Sequence, residues 1–514
     1  MRRLALAALL SSFAVLLPAH AAGEVPWLAA AGEADIDKAF AQARSEHKPV
    51  LLYWGAKWCP PCNQLKATLF NRQDFIERVR AVVPVMIDGD LPGAQKLGTR
   101  FKVRGYPTLV LMTAEGAELT RLPGEADAAQ VMALLQQGLA GGRPVKAVLA
   151  DARAGKPLAA AEWRALALYS WDTDSDQLIA EAQRPGLLAE LAAACPAGEA
   201  ESSTRLLLKA LAASDDGKGL KPDAALRTRV RKLLADPVAT RAQMESVVNA
   251  APEITKALAP GAGTDRRALV AAFDSALQRL EADATLSRAD RLSALYGRVE
   301  LARLAAAKDE RRPELKPALV KAVREHAARS DREITDPYER QAVITAAAQM
   351  LSEAGLWSDS DALLQANLGK SHSPYFLMSQ LAGNARKLGR ADDALGWYER
   401  AYQTSEGPAT RLQWGAGYLS ALIELKPAQD KRIEAAATQL IAEAGQDKGA
   451  FYERSARSLR RMGEKLASWN SLGEHVAAVD RLQRQLSAVC GRIDAADAQR
   501  ATCDAVARRL GSAT

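Results

Sequence analysis

The segment Lys57-Trp58-Cys59-Pro60-Pro61-Cys62 decides the fold of the first part of this 514-residue chain. It follows an apolar run over 49–54 that predicts a buried strand, and it precedes apolar residues at helical spacing over 63–80. Two cysteines separated by two residues at such a strand-to-helix junction can close a small disulfide ring. The positive end of the helix dipole lies at Cys59 and favours the thiolate form of its side chain. The pattern therefore predicts a site for thiol–disulfide exchange.

The same cysteine spacing has two other interpretations. A Cys-x-x-Cys pair is half of many zinc sites, but those sites take a second cysteine or histidine pair within tens of residues. The nearest other cysteine is Cys195, and His47 stands alone before the strand. A purely structural disulfide is disfavoured because so short a ring constrains little of the unfolded chain. We therefore predict that the pair is redox-active and that the chain has no metal site.

The residues up to 141 supply the other elements of a small α/β domain. The predicted elements are an opening helix over 35–46, a strand over 82–88, a short helix over 91–101, a strand over 109–112, an edge strand over 118–122 and a closing helix over 126–139. Residues 114–117 predict a hairpin turn, with Gly116 at the position that needs conformational freedom.

This order of elements and two motifs resemble the thioredoxin family. The motifs are Trp58-Cys59-x-x-Cys62 and, further along, Gly105-Tyr106-Pro107. The resemblance covers residues 24–141, under a quarter of the chain, and it is strongest to exported bacterial thioredoxin-like domains. It implies an α/β thioredoxin fold whose redox-active disulfide works without a separate cofactor.

The resemblance also assigns roles to single residues. It implies that Cys59 is the exposed nucleophile and Cys62 the buried resolving thiol. Pro107 is then a cis proline beside the disulfide, where it exposes the backbone of Tyr106 to an extended substrate segment. Trp58 would pack over the edge of the disulfide and help to bind the substrate.

Two features near the cysteines predict how the exchange is tuned. Pro60 and Pro61 remove two amide donors from the turn that faces the thiolate, so we expect the pKa of Cys59 to be depressed only moderately, as suits a reductase or a moderate-potential exchanger. The alternative is that the prolines only stiffen the helix start. Thioredoxins usually bury an acid six positions before the first cysteine, but Tyr53 occupies that position here. Deprotonation of Cys62 would then rely on water or on the Tyr53 hydroxyl.

The N-terminal residues predict export. Arg2 and Arg3 precede an apolar run over 4–17, and small residues follow, so residues 1–21 have the pattern of a signal peptide cleaved near Ala21. The run is short for a membrane span, which needs about 20 apolar residues. We therefore expect a periplasmic protein that does not span the membrane. The net charge of +7 is spread over interleaved acids and bases, which does not favour nucleic-acid binding.

The rest of the chain predicts a large all-α region. Residues 142–157 contain glycine and proline and are expected to form a linker, after which helical patterns dominate 158–334 and 427–514. Between them, over 335–426, Gly355 and Gly389 lie 34 residues apart, the period of a tetratricopeptide repeat. We expect one or two degenerate repeats there and a solenoid-like, helical-repeat architecture overall. This region would dock clients or partners, or serve only as a packed scaffold.

Three cysteines lie outside the redox motif. Cys490 and Cys503 fall near the ends of two predicted helices that turn back on each other, so we expect a structural disulfide between them. A ring of that size contributes roughly 3 kcal/mol in the loop-closure model. Cys195 follows an alanine-rich helix end and is expected to be a buried thiol.

Two functions from different classes remain open on this sequence. The first is a periplasmic protein-disulfide oxidoreductase acting through Cys59 and Cys62 on protein thiol or disulfide clients, with a membrane electron carrier as its reductant. The second is a non-catalytic interaction or scaffold protein that uses the helical repeats, with incidental redox activity. The intact cysteine pair favours the first, and the size of the helical part favours the second.

Overall fold

The structure is a computed structural model, and it describes residues 24–123, 128–174, 177–214, 218–307 and 309–511. The predicted signal peptide lies outside the described residues. The α/β part contains strands β1 (Leu28–Ala29), β2 (Val50–Gly55), β3 (Val83–Asp88), β4 (Thr108–Met112) and β5 (Glu118–Pro123), and helices α1 (Glu33–Glu46), α2 (Pro60–Thr68), α3 (Gln73–Val79), α4 (Ala94–Arg100) and α5 (Ala128–Leu139).

These strands form one mixed sheet in the order β1-β3-β2-β4-β5. Strand β2 is central, parallel to β3 and antiparallel to β4. Its side chains alternate between two apolar layers, as the two-residue period of a strand requires. Leu51 and Tyr53 pack with α2, α3 and α5 on one face, and Val50, Leu52 and Trp54 pack with α1 and α4 on the other. The sheet is therefore covered on both faces, and the carboxyl end of β2 leads directly into the cysteine motif.

One predicted helical segment, 63–80, is divided in the structure. Helix α2 ends at Thr68, and α3 begins at Gln73. The chain turns between them so that Phe70 and Phe75 stack in the core, with ring centroids 5.4 Å apart. Burial of these two rings accounts for the break, which helical periodicity alone does not reveal.

The remainder of the described chain is helical. The helices are α6 (Val145–Arg153), α7 (Ala160–Leu168), α8 (Arg184–Ala194), α9 (Ala200–Ala213), α10 (Ala224–Ala235), α11 (Pro237–Ala242), α12 (Met244–Asn249), α13 (Ala251–Leu258), α14 (Thr264–Ala282), α15 (Arg288–Arg303), α16 (Pro317–Glu333), α17 (Pro337–Glu353), α18 (Trp357–Asn367), α19 (Pro374–Lys387), α20 (Ala391–Thr404), α21 (Pro408–Leu425), α22 (Asp430–Ala444), α23 (Glu453–Trp469), α24 (Val476–Gly491) and α25 (Gln499–Gly511). The predicted fold class, an α/β thioredoxin fold followed by a large helical region, is confirmed.

Successive apolar clusters hold the helices together in chain order, as in a solenoid. The interval 142–157, expected to be a linker, contains α6, and Val145, Val148 and Leu149 of that helix are buried. Gly355 and Gly389 follow α17 and α19 with φ of 75° and 76°. Only a residue without a Cβ takes this conformation freely, so each glycine ends a helix at an equivalent point. None of the helices in the described ranges combines the length and apolar character needed to cross a bilayer.

Candidate active site

Cys59 and Cys62 lie where β2 turns into α2, and they form a disulfide with Cα atoms 5.2 Å apart. Cys59 is the N-cap of α2, and Pro60 and Pro61 occupy the first two helical positions. The first amide of the helix that can donate is therefore that of Cys62, and it donates to Cys59 Sγ at 3.2 Å. A thiolate at Cys59 would keep this donor and the helix dipole, but not the two amides that the prolines remove.

The loop before the disulfide is held by a buried asparagine. Asn63 Nδ2 donates to the carbonyl oxygens of Lys57 and Cys59, at 2.9 and 2.8 Å. Its side chain is fully buried, so these bonds are shielded from water. Asn63 therefore fixes the position of the backbone that carries the first cysteine.

The peptide bond between Tyr106 and Pro107 is cis. Tyr106 packs against the cluster formed by Ala56, Cys59 and Cys62. Its hydroxyl accepts a hydrogen bond from Gln95 Nε2 at 3.0 Å, and the same amide donates to the carbonyl of Gly89. The structure therefore brings the two sequence motifs together on one face of the α/β part.

Trp58 is the point at which the helical region meets this face. Its indole stacks on Phe376 of α19, with centroids 5.8 Å apart and planes 17° apart, and meets the edge of Trp414 of α21 at 5.2 Å. Its Nε1 donates to Asp90 and to Thr410 of α21, both at 2.9 Å. Side chains from helices far along the chain thus surround Trp58, the residue directly before Cys59.

A buried ion pair lies beneath the same indole. Arg454, at the start of α23, pairs with Asp90 through Nη2, which also donates to Thr410 Oγ1 at 3.1 Å. The guanidinium lies 5.3 Å from the ring centroid of Trp58 and 5.2 Å from that of Tyr106, within cation–π range of both. Trp58 and Tyr106 meet edge to face, with centroids 6.5 Å apart, and Arg454 therefore contacts both aromatic residues that flank the disulfide.

The contact leaves the disulfide almost inaccessible. Cys59 is 2% exposed and Cys62 is fully buried. Helix α17 packs along α2, and Gln341 Nε2 donates to the carbonyl of Trp58 at 3.1 Å. The resemblance implied an exposed nucleophile, but Cys59 is not exposed in this structure, and the helical region packs against Trp58 before it and α2 after it.

The position at which thioredoxins usually bury an acid is occupied here by Tyr53. Tyr53 is 1% exposed, and its Oη has no hydrogen-bond partner among the described residues. Burial raises the pKa of Tyr53 far above its usual range, so this hydroxyl stays protonated. Asp88 ends β3 opposite Gly55 and accepts a hydrogen bond from the amide of Asp90, as a turn cap does. Burial raises the pKa of Asp88 as well, which is the direction that suits proton exchange at a redox site.

Comparison with known proteins agrees with this geometry. Residues 36–139 match the family model described as a thioredoxin-like domain. The thioredoxin-like protein slr0233 of Synechocystis is 30% identical over 89 residues, which cover 17% of this chain and 80% of that protein. The chain belongs to the thioredoxin-like family.

Two further relatives carry functional names. The thiol:disulfide interchange protein DsbD 2 of Pseudomonas aeruginosa is 32% identical over 104 residues, 20% of this chain and 18% of that protein. The disulfide bond reductase DsbH of Chlamydia pneumoniae is 28% identical over 97 residues, 16% of this chain and 58% of that protein. The chain thus spans less than a fifth of the DsbD relative, and each match takes in at most a fifth of this chain.

The structure places the predicted site residues and the remaining cysteines in separate parts of the chain. Trp58, Cys59, Cys62, Tyr106 and Pro107 lie on one face. Cys490 and Cys503 lie far from it in sequence and are joined by a disulfide between α24 and α25. Cys195 is a buried free thiol. Within the part of the chain that the structure describes, His, Cys, Asp and Glu side chains do not gather in groups of three or more that could hold a metal ion.

Several residues of the site were not predicted from the sequence. They are Asn63, Asp90, Gln341, Phe376, Thr410 and Arg454. Asn63 lies in the motif segment, and its position directly after Cys62 was the only available signal. The others contact Trp58 from positions between 32 residues (Asp90) and 396 residues (Arg454) further along the chain. Trp414 is 8% exposed and belongs to an apolar cluster of the helical region, and it also contacts Trp58.

Proposed function

We propose that this protein is a periplasmic thiol–disulfide oxidoreductase that acts on protein disulfides through Cys59 and Cys62. The observation that carries the proposal is the Cys59–Cys62 disulfide at the start of α2, packed against Tyr106, in a domain related to a disulfide interchange protein and a disulfide bond reductase. The pattern of residues 1–21 supports export to the periplasm. An oxidising compartment of that kind contains disulfides for such an enzyme to act on.

The proposed reaction conserves electrons and sulfur atoms. The Cys59 thiolate attacks one sulfur of a client disulfide, which forms a mixed disulfide and releases the other client sulfur as a thiolate. The Cys62 thiolate then attacks Cys59 Sγ, which closes the Cys59–Cys62 disulfide and releases the second client thiolate. Two electrons pass from the cysteine pair to the client. A dithiol electron carrier of the membrane would return the pair to the reduced state.

The two amides lost at Pro60 and Pro61 support a reductase or a moderate-potential exchanger. A strong oxidant stabilises its reduced form through a thiolate of very low pKa. Among the described residues, the direct hydrogen-bond donor to Cys59 Sγ is the Cys62 amide. The helical region would add the surface that docks clients or partners.

Reduction of insulin disulfides with dithiothreitol as the electron source tests the proposal. We expect turnover that is lost in Cys59→Ser and retained in the matched control Cys195→Ser, because Cys195 lies outside the site. Absence of turnover in the wild type and also in the variants described below that expose Cys59 would overturn the proposal.

One observation favours the second function, an interaction protein without turnover. Cys59 is 2% exposed, so the conformation described here presents no nucleophile to a client. The two functions predict different results for the variants that expose Cys59. An enzyme gains turnover in those variants, whereas a scaffold protein does not.

A further inference from the structure

The face of the helical region that meets the disulfide has the chemistry of a binding site. We call it the cover face and define it by Phe376, Thr410, Trp414 and Arg454. It offers two aromatic rings, a hydroxyl and a cation, and each of these contacts Trp58 or its partner Asp90. Buried aromatic residues and arginine are the usual anchors of protein–protein interfaces. The cover face is therefore a specific interface within the chain. Its partner is the face of the α/β part that carries Trp58, Cys59 and Tyr106, which we call the redox face.

A client must use the surface that the cover face occupies. Exchange needs a client disulfide at Cys59 Sγ, which is 2% exposed. A client segment beside Tyr106 would also meet the guanidinium of Arg454, which lies 5.2 Å from that ring centroid. The cover face and a protein client therefore cannot bind the redox face at the same time.

The centre of the contact holds it closed. Asp90 and Arg454 are each only 10% exposed at the side chain, and Thr410 is fully buried. A buried pair of this kind is costly to break by removing one partner, because the other charge stays buried. Gly407, just before α21, has φ of 80°, and a Cβ there would lie 2.6 Å from the Cβ of Asp90. The two parts of the chain approach so closely at this point that a methyl group does not fit.

The edges of the contact favour separation. Lys57 pairs with Glu406 at 3.0 Å, but the two side chains are 50% and 67% exposed, and exposed pairs contribute little. Arg454 Nε and Nη1 have no hydrogen-bond partner among the described residues. Water would form hydrogen bonds with both donors if the contact opened. This hydration offsets part of the free energy needed to separate the two surfaces.

We propose, on the basis of the exchange function proposed above, that the helical region is a cover over the redox disulfide and that a protein client reaches Cys59 only after the cover face has left Trp58. The Asp90–Arg454 pair is the latch of this cover. Phe376 and Trp414 occupy the place on Trp58 that a client side chain would take. The cover therefore selects clients by their ability to compete for Trp58, while small thiol reagents enter whenever the contact opens briefly.

Labelling of Cys59 in the reduced full-length protein tests the cover without any need for turnover. The probe is a maleimide carrying a 5-kDa polyethylene glycol chain, and mass spectrometry of the Cys59 peptide gives the rate. Gly407→Ala inserts a methyl group against Asp90. Gly389→Ala is the matched control, because Gly389 has φ of 76° but nothing within 4 Å of its Cβ position. Asp90→Asn removes one charge of the latch and leaves Arg454 without its counter-charge while the contact is closed.

We expect Cys59 to be labelled at least tenfold faster in Gly407→Ala and in Asp90→Asn than in the wild type, with Gly389→Ala like the wild type. Thermal melting identifies variants that have lost their fold. If one of the two opening variants does not fold, the other is used in its place. Equal rates in the wild type and in a folded opening variant would overturn the proposal. Faster labelling without insulin turnover would support the proposed cover and count against the proposed function alone.

Discussion

Arg454 forms a buried ion pair with Asp90, a residue 364 positions earlier in the chain. Asp90 follows β3 in the thioredoxin-like domain, and Arg454 begins α23 in the helical region. The pair lies beneath Trp58, the residue directly before Cys59. This contact joins the two parts of the chain beside the Cys59–Cys62 disulfide.

The first prediction concerns the stability of this pair. Asp90→Asn leaves Arg454 buried without its counter-charge, so we expect the free energy of unfolding to fall by about 3–5 kcal/mol. Arg454→Met should cost a similar amount, because Asp90 is then left alone. The double variant should lose less than the sum of the two, since neither charge remains unpaired. Chemical denaturation of the four proteins measures the coupling, and strictly additive losses would contradict it.

The second prediction concerns the nucleophile. Pro61→Ala restores an amide donor in the turn that faces Cys59 Sγ, so we expect the pKa of Cys59 to fall. The reduced protein then holds more thiolate at neutral pH. Thiolate absorbance at 240 nm as a function of pH measures the change. Pro185→Ala, at the corresponding second position of α8 and away from the site, is the control. An unchanged titration in Pro61→Ala would mean that the prolines only stiffen the helix start.

The third prediction concerns the second disulfide. Cys490 and Cys503 are both buried, and their bond closes a loop with a sequence separation of 13. We expect Cys490→Ala/Cys503→Ala to lower the free energy of unfolding by about 3 kcal/mol in the loop-closure model. Cys195→Ala removes a buried sulfur without opening a ring and should cost less. If alkylation of the unreduced, denatured protein labels Cys490 and Cys503 as free thiols, the assignment is wrong.

The fourth prediction is a pH dependence that arises in α15. Burial, with repulsion from Glu253 and Glu353, raises the pKa of Glu300 from 4.5 to about 7. The folded state therefore keeps a proton that the unfolded state loses, so this contribution to stability is present below about pH 4.5 and is lost as the pH rises through 7.

Glu300→Gln removes the ionisable carboxyl group and therefore the loss of stability that its ionisation causes. At pH 8 we expect the variant to be more stable than the wild type by about 1–2 kcal/mol, allowing for the partial exposure of the side chain. At pH 4 the two proteins should have the same stability. Denaturation at both pH values measures the difference, and an equal difference at the two pH values would contradict the assignment.

The sequence predicted the local parts of the site because these depend on neighbouring residues. The position of Cys59 at a helix start follows from the strand pattern before it, and the order of strands and helices follows from their periods. The break between α2 and α3 was missed because it depends on the packing of Phe70 against Phe75, which helical spacing does not encode. The helix at Val145–Arg153 was missed because glycine and proline flank it.

The cover over the disulfide could not be predicted in the same way. Trp414 has the apolar character of a core residue and is in fact buried. The sequence around it does not reveal that Trp58 packs against it. Arg454 stands among other charged residues of a helix and looks like a solvated side chain until its partner is known. Contacts over more than 300 residues leave no periodic signal in a single sequence.

The most direct test of the central claim is a covalent trap of the mixed disulfide through Cys59. Cys62→Ser would be expressed in its native cells, thiols would be blocked with an alkylating agent, and adducts would be identified by mass spectrometry. We predict a few discrete protein partners joined through Cys59 and absent from Cys59→Ser/Cys62→Ser. An absence of adducts, both in Cys62→Ser and in Cys62→Ser combined with Gly407→Ala at normal levels of folded protein, would contradict the account.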